Sequence, residues 1–209
     1  MAIFDLSLLI AHIPERREVL NSLLTKLNSQ VENDLRQRVE IIILEDDFRI
    51  TIGCKRNLLL GLATGKFVMF VDDDDTVHVD LCRVVCDIIR HKDVDYIGSK
   101  LKRSFTEKPE YRSITLNQKF EDEDGSYRAV SHTTPIRREI AVRFQFPSLN
   151  LGEDEDWCEQ LRVSGLLQNE FFCQEFLYNQ RHSTAGFTKE PASVPLISGH
   201  HTHLHLIDL

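Results

Sequence analysis

The sequence predicts an α/β fold: a single domain with a mainly parallel central sheet flanked by helices. Three observations predict it. Apolar runs of strand length alternate with helical stripes through the first hundred residues, the pattern of a parallel sheet with crossover helices. Two of those runs end directly in acidic residues, Glu45-Asp46-Asp47 and Asp72-Asp73-Asp74-Asp75. Ligands of parallel sheets bind outside the carboxyl ends of the strands. A length of 209 residues with 42% hydrophobic content suffices for one full core.

Leu6 to Ala11 is apolar but for Ser7 and reads as the first strand. Pro14 stands where a helix can begin, and Val19, Leu20, Leu23, Leu24 and Leu27 recur with helical spacing. Val39 to Leu44 is a second buried strand. Ile52 to Leu62 reads as a second helix, and Gly65 breaks the chain before the third strand, Lys66 to Val71. Leu81, Val84, Val85, Ile88 and Ile89 form another helical stripe, and Tyr96-Ile97-Gly98 a short strand. From Lys100 to Asp124 the chain is polar, a solvated loop with short antiparallel strands. Tyr127 to Thr133 is expected to be a strand, Arg138 to Phe144 a short helix, and Glu153 to Leu161 a helix stopped at Gly165. Phe171 to Tyr178 is expected to be the last strand, followed by a tail rich in Gly, Pro and His.

The net charge of −8 argues against nucleic acid as a general partner. No apolar run reaches the length of a membrane span. Met1 is followed almost at once by Asp5 and a strand, so no signal peptide is expected. Five cysteines without a CxxC pair, with Cys82 and Cys86 at core spacing on a helix, read as buried reduced thiols and a cytoplasmic location.

Four adjacent carboxylates at the end of a buried strand, with no basic neighbours in the sequence around them, repel one another. A divalent cation removes that conflict, and hard oxygen ligands suit Mn²⁺ or Mg²⁺. A lone acidic cluster reads equally as a surface turn. The strand in front favours the metal reading, because it fixes where the carboxylates point.

In order along the chain, Leu6 to Ala11, Val39 to Asp47, the Lys55-Arg56-Asn57 run with Gly61, Ala63 and Gly65, the Asp72 to Asp75 run, and Glu153-Asp154 resemble the motif blocks of a GT-A glycosyltransferase of the family-2 type. The resemblance implies a Rossmann-like GT-A domain spanning 1–209, with a nucleotide-binding half at 1–100, an acceptor and catalytic half at 101–188, and a tail at 189–209. It implies an inverting transfer of a sugar from a UDP-sugar donor to a glycan or other hydroxyl acceptor. Asp74 matches the second Asp of the family's DxD motif and becomes the expected metal ligand; Asp72 and Asp73 face the ribose and the ion's water shell. Asp154 becomes the general base, Asp46 the acceptor of the uracil N3–H, Arg56 the partner of phosphate or base, and Ala11 part of the base pocket. His182 after the expected last strand is either a surface residue or a third metal ligand.

Each role has a plainer counterpart: Asp75 and Asp154 as helix caps, Asp46 as a turn residue, and Arg56 as a solvated helix charge. Ala11-His12-Ile13 stands where the family often carries a hydroxyl or aromatic residue, and Gln160 where it often carries an Arg. The ending at Leu209 is what a piece of a longer chain would show. His200, His201, His203 and His205 match no closed zinc spacing. Two other functions remain open. A nucleotidyltransferase would want a Gly-rich phosphate loop where His12-Ile13-Pro14-Glu15 stands. A non-catalytic sugar- or Ca²⁺-binding module would not need Glu153-Asp154 beside the Asp run.

Overall fold

The computed structural model describes residues 4–104, 110–116, 130–181 and 204–206. Its strands are β1 (Leu6–His12), β2 (Val39–Glu45), β3 (Phe67–Phe70), β4 (Thr76–Val77), β5 (Tyr96–Arg103), β6 (Glu110–Ile114), β7 (Ile136–Arg137), β8 (Glu170–Gln180) and β9 (Leu204–Leu206). The helices are α1 (Arg17–Gln30), α2 (Ile52–Leu62), α3 (Leu81–His91), α4 (Arg138–Ala141) and α5 (Glu153–Val163). Among the described residues the strands form one sheet in the order β4-β8-β5-β7-β3-β1-β2-β9, with β6 beside β5. The long ladders, β1 with β2 and β5 with β8, are parallel.

β1 lies between β2 and β3, paired parallel with both, from Leu6↔Val39 and Leu6↔Phe67 onward. The apolar runs of these strands are buried on both faces, as a parallel sheet covered by helices requires. Ser7 interrupts the first run without being exposed: its hydroxyl donates to Glu40 Oε1 at 2.5 Å and accepts from the Gly65 N–H at 2.8 Å. A Cβ on residue 65 would lie 2.7 Å from the Ser7 backbone nitrogen, so only glycine lets the chain enter β3 this close to β1. On α1, Leu20, Leu23 and Leu27 are buried, whereas Val19 faces solvent and Leu24 is half-buried. Cys82 and Cys86 are buried on α3, and burial pushes both thiols up to about 12. Cys54 and Cys158, expected to be buried, are half-exposed; all five thiols are free.

The second half departs from expectation in three places. β5 runs on through Lys100, Leu101 and Lys102, because β6 and β8 pair with it on opposite edges; its polar residues are partly exposed rather than in a loop. Residues 130–133 of the expected strand are a buried turn. Ser131 and Thr133 hydroxyls lie 2.8 Å apart, and the Thr133 N–H donates to Ser131 Oγ, so hydroxyls close the turn in place of a ladder. β8 is not the last strand, since β9 adds antiparallel to β2 at Leu44↔Leu204. Residues 117–129 and 182–203 lie outside the described residues, His182 among them. No helix among the described residues is long and apolar enough to cross a membrane.

Candidate active site

The carboxyl ends of β2, β1 and β3 stand side by side, and that edge gathers most of the residues singled out in the sequence. The Asp46 N–H donates to the His12 carbonyl at 3.2 Å. Lys55 of α2, buried, donates from Nζ to the carbonyls of His12 at 2.9 Å and Asp46 at 3.1 Å. His12 Nδ1 lies 2.7 Å from Asp73 Oδ2. Ala11, Asp46 and the Asp run are thereby stitched to one edge of the sheet. Asp46 Oδ2 accepts from the N–H groups of Arg49 and Ile50 at 2.8 and 3.2 Å, which shapes the loop into α2. That is the turn role.

The four carboxylates after β3 have separate surroundings. Asp72 keeps a third of its side chain open to solvent and meets Arg56 Nη2 at 3.1 Å and His132 Nε2 at 3.4 Å. Burial works to raise the Asp72 carboxyl, yet His132 and Arg56 prevail and hold it well below the usual carboxylate range. Asp73 is buried between His12 and Arg16. Asp74 is partly exposed, paired with Arg16 at 2.9 Å, and its carboxyl is raised by burial and by Asp72 and Asp73, against the pull of Arg16. Asp75 does not cap the next helix, which starts six residues later behind Asp80. Instead it accepts from the Tyr178 hydroxyl at 2.9 Å and the Arg181 N–H at 2.7 Å, tying β3's exit to the end of β8. Burial and the Asp72 charge push Asp75 up to about 8. The acidic run therefore has basic neighbours, contrary to the sequence expectation that nothing nearby offsets it.

Arg56 is not a solvated helix charge. It is buried under the Asp run, with Nη1 paired to Glu153 Oε1 and Nη2 on Asp72. Its guanidinium lies 5.8 Å from the Phe70 ring centre and 5.6 Å from that of Phe146, and Phe146 stacks on Trp157 at 4.5 Å. Burial acts to lower the Arg56 pKa, but Asp72, Glu153 and Asp154 outweigh it and keep it raised. Glu153 is pushed up by burial against the pull of Arg56.

Asp154 sits in the first turn of α5, where the helix dipole favours a carboxylate. The position before the helix is Gly152 at φ +77°, which has no side chain to cap with. Asp154 is partly exposed, and its Oδ2 lies 3.3 Å from His132 Nδ1. His132 is the residue the sequence did not reveal. Its ring bridges Asp72 on the strand side and Asp154 on the helix side, and its carbonyl accepts from the Phe70 N–H at 3.0 Å, which seats the buried turn against β3. Burial and Arg56 act to lower its pKa, while Asp72 and Asp154 prevail and hold it well above the ordinary histidine value. The ring thus couples the two carboxylates, with Arg56 Nη2 also 3.2 Å from its Nε2.

The charges at this edge do not balance. Asp72, Asp73, Asp74, Glu153 and Asp154 face Arg16, Arg56, His12 and His132, so carboxylates outnumber the basic side chains paired with them. Among the described residues no three His, Cys, Asp or Glu side chains converge as a closed metal cage. Mg²⁺ ordinarily uses one or two carboxylates and completes its shell with water and substrate phosphates. The partly exposed carboxylate of Asp74, beside Asp72 and Asp73, fits an ion held that way.

The sequence matches no protein-family model and no curated protein. The fold matches solved structures of S. aureus TarS. The complex of TarS 1–349 with UDP-GlcNAc superposes at a TM-score of 0.69 and 15% identity, over 92% of this chain and 62% of that one. The complex of the same fragment with UDP gives 0.67 and 16%, over 86% and 61%. A longer TarS structure gives 0.67 and 17%, over 86% of this chain and 37% of that one. The chain thus spans less than two thirds of the TarS structures it resembles. What they share with it is the fold, GT-A-like, with a curled, mainly parallel sheet flanked by helices.

Proposed function

We propose that this chain is a glycosyltransferase that moves a sugar from a UDP-sugar to a glycan or other hydroxyl acceptor, with inversion, in the cytoplasm. The observation that carries the reading is the pairing of two carboxylate centres, the Asp72 to Asp75 run behind β3 and Asp154 at the start of α5, held 3.4 and 3.3 Å from opposite nitrogens of one buried histidine. The TarS structures that share the fold were solved with UDP and with UDP-GlcNAc, which supports a donor of this class.

Transfer requires the acceptor hydroxyl to lose its proton, the hydroxyl and the anomeric carbon to be held in line, and the departing diphosphate to be stabilised. Asp154 accepts the proton. The new C–O bond forms as the anomeric carbon–phosphate oxygen bond breaks, UDP leaves with the electron pair, and attack from the side opposite UDP inverts the centre. His132 and Arg56 fix the carboxylates on either side. Asp46 at the loop after β2 accepts from the uracil N3–H, with Ala11 beside it. Mn²⁺ or Mg²⁺ held by Asp74, with His182 as a further ligand, supplies Lewis-acid stabilisation of the diphosphate when bound.

UDP binding measured by calorimetry tests the donor site. Affinity is expected to be at least tenfold higher in Mn²⁺ than in EDTA, and Asp74→Ala is expected to erase the difference. Equal affinity in EDTA and Mn²⁺ for the wild-type chain would remove the metal from the mechanism.

A further inference from the structure

We propose that Arg16 is the resident counter-cation of the acidic run, competing with a divalent ion for Asp74 in the absence of donor and turning onto the donor's diphosphate when ion and donor bind. The inference rests on the reading of this edge as a nucleotide-sugar site and concerns what the site does before the donor arrives.

Arg16 closes the short helical turn Pro14–Arg16 that joins β1 to α1. That turn leaves the carboxyl end of β1, the place where an α/β fold presents its first connection to a phosphate. A single guanidinium nitrogen, Nη1, lies 2.9 Å from Asp73 Oδ1 and 2.9 Å from Asp74 Oδ2. It bridges the carboxylates a metal would have to share.

The two arginines of the site differ in burial. Arg56 is 6% exposed, wedged against aromatic faces and fixed by Asp72 and Glu153. Arg16 is 24% exposed and hangs from a surface turn. Asp73 and Asp74 differ as well. Asp73 retains His12 Nδ1 at 2.7 Å when Arg16 leaves. Asp74, 19% exposed, would be left with raised repulsion from Asp72 and Asp73, and so ready for another cation. A guanidinium and a divalent ion cannot both sit close on Asp74 without strong mutual repulsion. A diphosphate gives the displaced guanidinium a matching partner, because its fork suits phosphate oxygens. Arg16 thereby offsets part of the carboxylate charge before the donor arrives, and metal is taken up well only together with the donor.

Mn²⁺ binding followed by paramagnetic resonance of the free ion, without nucleotide, reads the competition directly. Arg16→Ala is expected to bind Mn²⁺ about tenfold more tightly than the wild type, and Arg16→Lys, which keeps the charge, close to the wild type. With Mn²⁺ saturating, Arg16→Ala is expected to bind UDP about tenfold more weakly. Thermal melting of each variant establishes that it is folded, and Arg16→Gln replaces the alanine variant if that one is not. Unchanged or weaker Mn²⁺ binding without the arginine overturns the competition, and it leaves the proposed transfer untouched because no donor is present. Tighter Mn²⁺ binding with undiminished UDP affinity overturns the turn onto the diphosphate.

Discussion

Asp154→Asn is expected to lower kcat by about 10² to 10⁴ while leaving UDP affinity nearly unchanged. Asn keeps the size of the side chain and removes its charge and nearly all its basicity. The geometry separates the base from a structural carboxylate. Asp154 does not occupy the position before α5, which belongs to Gly152, and Asn can still accept a hydrogen bond through its oxygen. Loss of the carboxylate also leaves His132 with Asp72 as its remaining anionic partner. Some stability will go with it, and for that reason kcat is to be read at saturating donor on protein shown to be folded. Glu155→Gln is the control: the same charge is removed one residue away, on an exposed position, and the rate is expected to stay within about twofold. A nearly normal kcat for Asp154→Asn would leave the inverting mechanism without its base.

Glu153→Ala is expected to destabilise the fold by about 3–5 kcal/mol, the usual result of removing one member of a buried ion pair. Arg56 is 6% exposed and Glu153 is equally buried, so water cannot replace the lost carboxylate. Asp72 would remain on Arg56 at 3.1 Å, and the aromatic group of Phe70, Phe146 and Trp157 would remain around it. The guanidinium would then pull on Asp72 alone, and the carboxylate that starts the acidic run would shift. Urea denaturation of Glu153→Ala beside Glu155→Ala measures the effect, the second variant being expected to stay within about 0.5 kcal/mol of the wild type. A loss under about 1 kcal/mol for Glu153→Ala would mean the pair does not hold the site together.

The frame of this molecule was legible because it follows period. β1, β2 and β3 are continuous apolar runs, and α2 begins and ends at Ile52 and Leu62 where the pattern puts it. The Asp run and Glu153-Asp154 were legible as motifs, and the parallel register of β1 with β2 and β3 brings Asp46 and Asp72 to one edge as their strand-end positions imply. The partners of those carboxylates were not legible. α2 inverts the usual rule: Lys55 and Arg56 are buried on it while Leu58 faces solvent, so hydrophobic pattern assigns the two cations to the wrong face. His132 lies in a stretch whose pattern reads as a strand, whereas its place depends on hydroxyl bonds that close a turn. Arg16 and His12 reach Asp73 only through the register of β1 against β3. Their contacts are long-range in sequence, which is why the acidic run looked unopposed.

Release of UDP from a panel of UDP-sugars, with and without Mn²⁺ and with a mixture of glycan acceptors, tests the central claim most directly. The account predicts release that needs the protein, rises with Mn²⁺ and acceptor, and falls by about 10² or more in Asp154→Asn. No release from any UDP-sugar, or release of pyrophosphate from a nucleoside triphosphate and a sugar phosphate instead, would contradict it.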